Sequence, residues 1–136
     1  MHLKRETDVS FETDGPHAIV TARINNQVDA RLLLDTGATL VQISETLARR
    51  LNLQLPDEPK LKVTLADGSE ARVKPVVLDS IQVADARAER VGAIVSPSEP
   101  SPGVDGLLGM SFLQEFDVRL DGASHKLILK RFDPKP

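Results

Sequence analysis

Cysteine, tryptophan and tyrosine are all missing from this 136-residue chain, which carries four phenylalanines. Without cysteine there is no thiol nucleophile, no cysteine-ligated zinc and no disulfide framework. The same absence leaves the compartment open: the cytoplasm fits, and so does the periplasm if a membrane anchor ahead of Met1 has been removed. Basic residues are not in excess, with 17 Lys and Arg against 20 Asp and Glu and a formal net charge of −3. With no basic run and no Trp or Tyr to stack on bases, nucleic acid is not an expected partner. Long apolar runs are missing too: Leu32-Leu33-Leu34 is typical, against the ~20 residues that span a bilayer as a helix, so no membrane segment is expected. Met1 to Asp8 holds basic residues with no apolar stretch behind them, unlike a secretory signal.

What remains is 40% hydrophobic and 27% charged, the composition of one compact domain. A chain of this length buries roughly 70% of its unfolded surface and needs no staple. Val9 and Phe11 suit a short strand or docking arm within the polar first sixteen residues. Ala18 to Ile24 alternates apolar and polar, Asn25-Asn26 tolerates positive φ, and Val28, Ala30, Leu32 and Leu34 repeat with period two, which predicts a hairpin. Its second strand runs into a turn at Asp35-Thr36-Gly37-Ala38. Ser44 predicts the cap of a short helix with Leu47 and Leu51 on one face and Arg49-Arg50 at its end.

Leu61, Val63 and Leu65 alternate up to Asp67-Gly68, and Ala71 and Val73 alternate beyond it, a second hairpin. Val76 to Val83 and Arg90 to Val95 predict further strands, with Asp85 to Arg90 between them as a solvated hairpin turn. Three prolines between Pro97 and Pro102 make a loop. A short helical stretch, Met110 to Glu115, then precedes a last hairpin, Asp117 to Leu120 and Lys126 to Lys130, turning at Asp121-Gly122. Short strands spaced in this way describe a mostly β chain.

Two motifs carry the chemistry. Asp35-Thr36-Gly37-Ala38-Thr39 follows three apolar strand residues and resembles the active-site signature of aspartic proteases, the Ala after the Gly being similar to the retroviral subgroup. Asp105-Gly106-Leu107-Leu108-Gly109-Met110, about seventy residues downstream, is similar to that family's second element. Read alone, the first motif is a turn with an Asx hydrogen bond and the second a turn ahead of a helix; together and in this order they read as an active site. The resemblance runs from Ala18 to Leu129 and is nearest to the small retropepsin-like proteases of bacteria and their eukaryotic relatives.

That resemblance implies an all-β, retropepsin-like closed barrel with one or two short helices. It implies an N-terminal arm at residues 1–16, a protease domain at 17–131 and a tail at 132–136. Catalysis is expected from Asp35, Thr36 and Gly37, with Gly37 adopting an otherwise disfavoured φ and setting its amide near the carboxylate. Ala38 and the flap tip, Ala66, Asp67, Gly68 and Ser69, are expected to meet substrate, while Asp105, Gly106, Leu107, Leu108 and Gly109 form the structural motif. Asp105 is expected to be structural rather than catalytic.

The chain has one Asp-Thr-Gly where the reaction needs two carboxylates, so activity implies a homodimer acting on peptides or unfolded proteins. No cofactor is expected. No metal is expected either, since His2, His17 and His125 lack ligand spacing. With Ala38 in place of a hydroxyl-bearing residue, the dyad is expected to work at mildly acidic pH. The absence of Tyr and Trp points to modest side-chain selectivity. A rival from another class is a catalytically weak or inactive dimer of the same fold that binds peptides or proteins, favoured by the polar flap tip. A third is a monomeric β-sandwich interaction domain.

Overall fold

A computed structural model describes residues 6–55, 57, 61–64 and 68–132. The first long hairpin forms where the alternation and the asparagines place it. Strands β3 (His17–Ile24) and β4 (Val28–Leu34) are joined through Asn25 and Asn26, whose φ values of 55° and 56° make the kind of turn that suits strand twist. The Gln27 amide closes it on the Ile24 carbonyl at 2.9 Å.

The remaining strands are β1 (Glu6–Ser10), β2 (Glu12–Asp14), β5 (Val41–Ser44), β6 (Leu61–Thr64), β7 (Glu70–Val83), β8 (Ala86–Ser96), β9 (Gly106–Leu108), β10 (Phe116–Asp121) and β11 (Lys126–Arg131). The larger sheet runs β2-β3-β4-β9-β5-β8-β7-β6, and a further pairing of β3 with β7, Ile24 opposite Ile81, closes its middle six strands into a barrel. The smaller sheet is β1-β11-β10. Residues 6–14 therefore dock on their own chain, β1 on β11 and β2 on β3.

Apolar side chains from nearly every strand fill the barrel, among them Ile24, Leu32, Ile43, Leu78, Leu108 and Leu127, each fully buried. The area removed from water drives this closure, at about 25 cal/mol per Å² of apolar surface. Helix α1 (Glu45–Arg50) plugs one side through Leu47 and Ala48. The Ser44 hydroxyl accepts from the Leu47 amide at 3.1 Å and begins this helix. Asn52, at φ 55°, ends it while the Leu53 amide reaches back to the Ala48 carbonyl at 3.2 Å. Helix α2 (Met110–Leu113) sets Phe112 against Phe116, with ring centroids 5.1 Å apart. In the last turn, hydrogen bonds from the Ser124 hydroxyl and amide and the Ala123 amide hold the Asp121 carboxyl below its usual range.

Three expectations are corrected. First, β7 is one strand through Pro75, where separate strands were expected on either side. Among the described residues it pairs between Lys74 and Ser80 with β8 alone: the described part of β6 extends to the partner of Val73, and β3 meets it from Ile81 onward. Among the described residues Pro75 has no ladder partner on its other side, and a missing N–H there costs no bond. Second, Asp85 to Arg90 is not a solvated turn. The turn shrinks to Ala84 and Asp85, and β8 starts at Ala86, because Ala86 and Ala88 are small enough to face the core while Glu89 and Arg90 stay exposed. Third, α2 stops at Leu113, two residues before Glu115, within the ordinary fraying of a helix end.

Candidate active site

Asp35 sits at the point where β4 leaves the barrel. Its amide donates to the Leu108 carbonyl at 3.1 Å, which continues the parallel β4–β9 ladder by one bond. The Gly37 amide donates to Asp35 Oδ1 at 2.9 Å, and the Ala38 amide donates to the Asp35 carbonyl at 3.2 Å. The carboxylate is thus oriented by its own loop, half-buried, with Thr36 and Gly37 exposed beside it. The expected unusual φ at Gly37 is corrected: only Gly15, Gly68 and Gly103 among the described glycines have positive φ. The constraint at Gly37 is space, since a Cβ there would stand 3.2 Å from Asp35 Oδ1.

The second motif holds this loop from behind. Gly106 lies in β9 between β4 and β5, so close that a Cβ would meet the Gln42 carbonyl oxygen at 1.9 Å. At Gly109 a Cβ would meet the Leu40 and Ala38 carbonyl oxygens at 2.5 and 2.8 Å. The Met110 amide donates to that Ala38 carbonyl at 2.8 Å. Asp105 lies elsewhere: its Oδ2 accepts from the Arg31 amide at 2.8 Å, and its own amide donates to the Arg31 carbonyl at 2.8 Å. Arg31 precedes Asp35 by four residues, about 13 Å of strand, so the Asp105 carboxylate serves the chain and not the cleft.

A cleft of about 550 Å³ opens in front of Asp35. Its near wall is the loop itself, with Asp35, Gly37, Ala38, Thr39 and Leu40. Gln42, Ile94 and Leu107 come from the sheet, and Val63 and Thr64 from the β6–β7 hairpin. Asp35 is the single carboxylate among the described lining residues. A cavity of about 600 Å³ lies apart from it at the β7–β8 turn, lined by Gln82, Arg87, Glu115 and Arg131 among others. Size does not separate the two; only the first contains the oriented carboxylate.

The loop residues Asp35, Gly37 and Ala38 and the motif residue Leu107 are thus brought together at the cleft, whereas Thr36, Gly106, Leu108 and Gly109 are not part of its lining. Of the flap tip, Ala66 and Asp67 lie outside the described residues, and Gly68 and Ser69 are exposed outside the lining. Sequence reasoning missed Leu40, Gln42, Ile94 and Ser111. The alternation of β5 carried a signal for Gln42, a polar residue between the buried Val41 and Ile43. Ser111 gave none, yet its Oγ accepts from the Val41 amide at 2.9 Å and donates to the Gly92 carbonyl at 2.6 Å, fastening α2 to the strands behind the loop. Among the described residues no three of His, Cys, Asp or Glu gather as metal ligands, and no helix is long and apolar enough to cross a membrane.

Comparison with known proteins gives the family of the chain. A family model, the gag-polyprotein aspartyl protease, matches residues 20–115, from within β3 to two residues past α2. The chain belongs to this aspartyl protease family. No curated protein matches it. A retropepsin-like aspartic protease from Rickettsia conorii superposes with a TM-score of 0.72 at 25% identity, covering 93% of this chain and 90% of the other. The EIAV protease, complexed with the inhibitor HBY-793, superposes with a TM-score of 0.57 at 17% identity, over 72% of this chain and 86% of that one, a likeness of fold. The chain is therefore an aspartic protease of retropepsin type, a peptidase with an all-β fold, and the monomeric interaction domain is set aside as a reading of its sequence.

Proposed function

We propose that this aspartic protease cuts extended polypeptide segments as a homodimer, with Asp35 of each copy facing one water molecule. The observation that carries the reading is the lone, oriented carboxylate: Asp35 is the only acid among the described residues lining the cleft. One carboxylate must be ionised to take a proton from water while another, protonated, polarises the substrate carbonyl. Two such groups about 3 Å apart share a proton rather than both ionise, as in the aspartic protease dyad. The second group is then Asp35 of the partner subunit, related by a two-fold axis.

In this reading the Gly37 amide, 2.9 Å from Asp35 Oδ1, fixes the carboxylate plane. The exposed Thr36 faces the neighbouring copy and ties the two loops together. Substrate lies extended between the loop and the β6–β7 hairpin, gaining main-chain hydrogen bonds as an added strand. The β6–β7 hairpin, with Gly68 and Ser69 towards its tip, closes over it and reopens for product release.

The test is digestion of unfolded casein across about pH 3 to 8, with wild type, Asp35→Ala and an aspartic protease inhibitor compared and the products read by mass spectrometry. Cleavage should vanish in the variant and with inhibitor. In the dilute range the rate should rise more than linearly with enzyme concentration. Folded, dimeric protein that binds peptides and cuts none of them would instead support a binding module.

A further inference from the structure

The floor of the Asp35 cleft is a row of three side chains from three adjacent strands: Leu107 on β9, Gln42 on β5 and Ile94 on β8. Gln42 is the register partner of Leu107 in the antiparallel pair and of Ile94 in the parallel pair, so all three leave the sheet on one face. Leu40 and Val63 complete the apolar wall around them. Gln42 is half-buried, and among the described residues no hydrogen bond engages its carboxamide. Apart from Asp35, no described lining residue is charged.

We infer that Gln42 is a specificity-determining residue, selecting a substrate side chain with an apolar stem and an uncharged hydrogen-bonding end, such as glutamine or tyrosine, over leucine. The inference rests on the peptidase reading above. A carboxamide offers two donors and an acceptor oxygen, which water serves while the cleft is open. A substrate side chain displaces that water, and an aliphatic end leaves the carboxamide unpaired. An end group that returns the hydrogen bond avoids the loss. A charged end meets aliphatic walls with no counter-ion and bears its own desolvation.

The modest selectivity expected from the missing Tyr and Trp considered packing alone; hydrogen-bonded recognition discriminates more sharply than volume. In a homodimer each copy supplies one such row. The preference therefore recurs at two substrate positions, one on each side of the scissile bond.

The experiment scans casein-derived peptides position by position with Gln, Leu or Glu, measuring kcat/KM for wild type and for Gln42→Leu. Binding of the same peptides to Asp35→Asn protein is followed by fluorescence anisotropy. Wild type should favour Gln over Leu by roughly tenfold or more at the responsive positions and reject Glu, and Gln42→Leu should reverse the Gln-to-Leu order. A ratio taken within one variant does not depend on how much of that variant is folded. An unchanged ratio in Gln42→Leu, or a wild-type preference for Leu, overturns the inference and leaves the peptidase reading standing. Gln-over-Leu binding to Asp35→Asn with no cleavage by wild type supports the subsite and overturns the peptidase reading. Neither cleavage nor binding overturns both.

Discussion

The Met110 amide donates to the Ala38 carbonyl at 2.8 Å, joining the second motif to the loop that carries Asp35. Two residues earlier, the Leu108 carbonyl accepts from the Asp35 amide at 3.1 Å. The loop is therefore gripped on both sides of its turn by a segment about seventy residues away in sequence. These are backbone bonds, so the grip depends on close approach of main chains, and close approach is what the glycines of the second motif permit.

Substituting alanine at three glycines should give a graded series. At Gly122 an added Cβ meets nothing within 4 Å, at Gly109 it meets the Leu40 carbonyl oxygen at 2.5 Å, and at Gly106 it meets the Gln42 carbonyl oxygen at 1.9 Å. Gly122→Ala should change stability by no more than about 0.5 kcal/mol. Gly109→Ala should cost about 1–3 kcal/mol and displace the Asp35 loop, and Gly106→Ala should cost more. Urea melts rank stability, and casein cleavage by the folded fraction reads the loop displacement.

Much of this arrangement was legible because it is local. Asn25 and Asn26 announce a turn by residue type, Ser44 announces a cap, and the two motifs stand in family order. Other features arise only from packing. Pro75 reads as a strand break until its pairing with β8 alone among the described residues is known, and Ala86 and Ala88 look solvated among charges until the barrel buries them. Ser111 was invisible because its two partners, Val41 and Gly92, are brought to it by separate strands. The flap tip was drawn from a resemblance, and its Ala66 and Asp67 fall outside the described residues.

Ser111→Ala tests that bridge. The Val41 amide loses its acceptor at a residue with 0% exposure, and the Gly92 carbonyl loses its donor. An unsatisfied buried amide costs about 1–3 kcal/mol, so the thermal midpoint should fall. Ser111→Thr, which keeps a hydroxyl, should recover part of the loss. A midpoint unchanged in Ser111→Ala would mean that water replaces the hydroxyl.

Ala38→Ser tests the electrostatics of the cleft. Ala38 lines it beside Asp35 and contributes only a methyl group. A hydroxyl there can donate to the ionised carboxylate, which favours the charged form and lowers the pKa of the shared proton. The acidic limb of the pH–rate profile should therefore lie at lower pH in Ala38→Ser than in wild type. Profiles of kcat/KM report the free enzyme and are the ones to compare. A limb that stays in place, or moves upward, rejects this account.

The strongest consequence of the proposed dyad, one Asp35 from each of two copies, is dominant interference. Asp35→Asn keeps the amide bond to Leu108 that seats the loop, so the variant should fold and exchange into dimers. A mixed dimer has one carboxylate and cannot both polarise the carbonyl and accept the water proton. With wild-type protein fixed and fully dimeric, an equal amount of Asp35→Asn should lower the rate to about one half, and a ninefold excess to about one tenth, because random pairing leaves that share of wild-type chains matched with each other. An enzyme complete within one chain would show no loss at either ratio. Native mass spectrometry of the same mixtures checks that mixed dimers have formed, so an undiminished rate in their presence would reject the shared dyad.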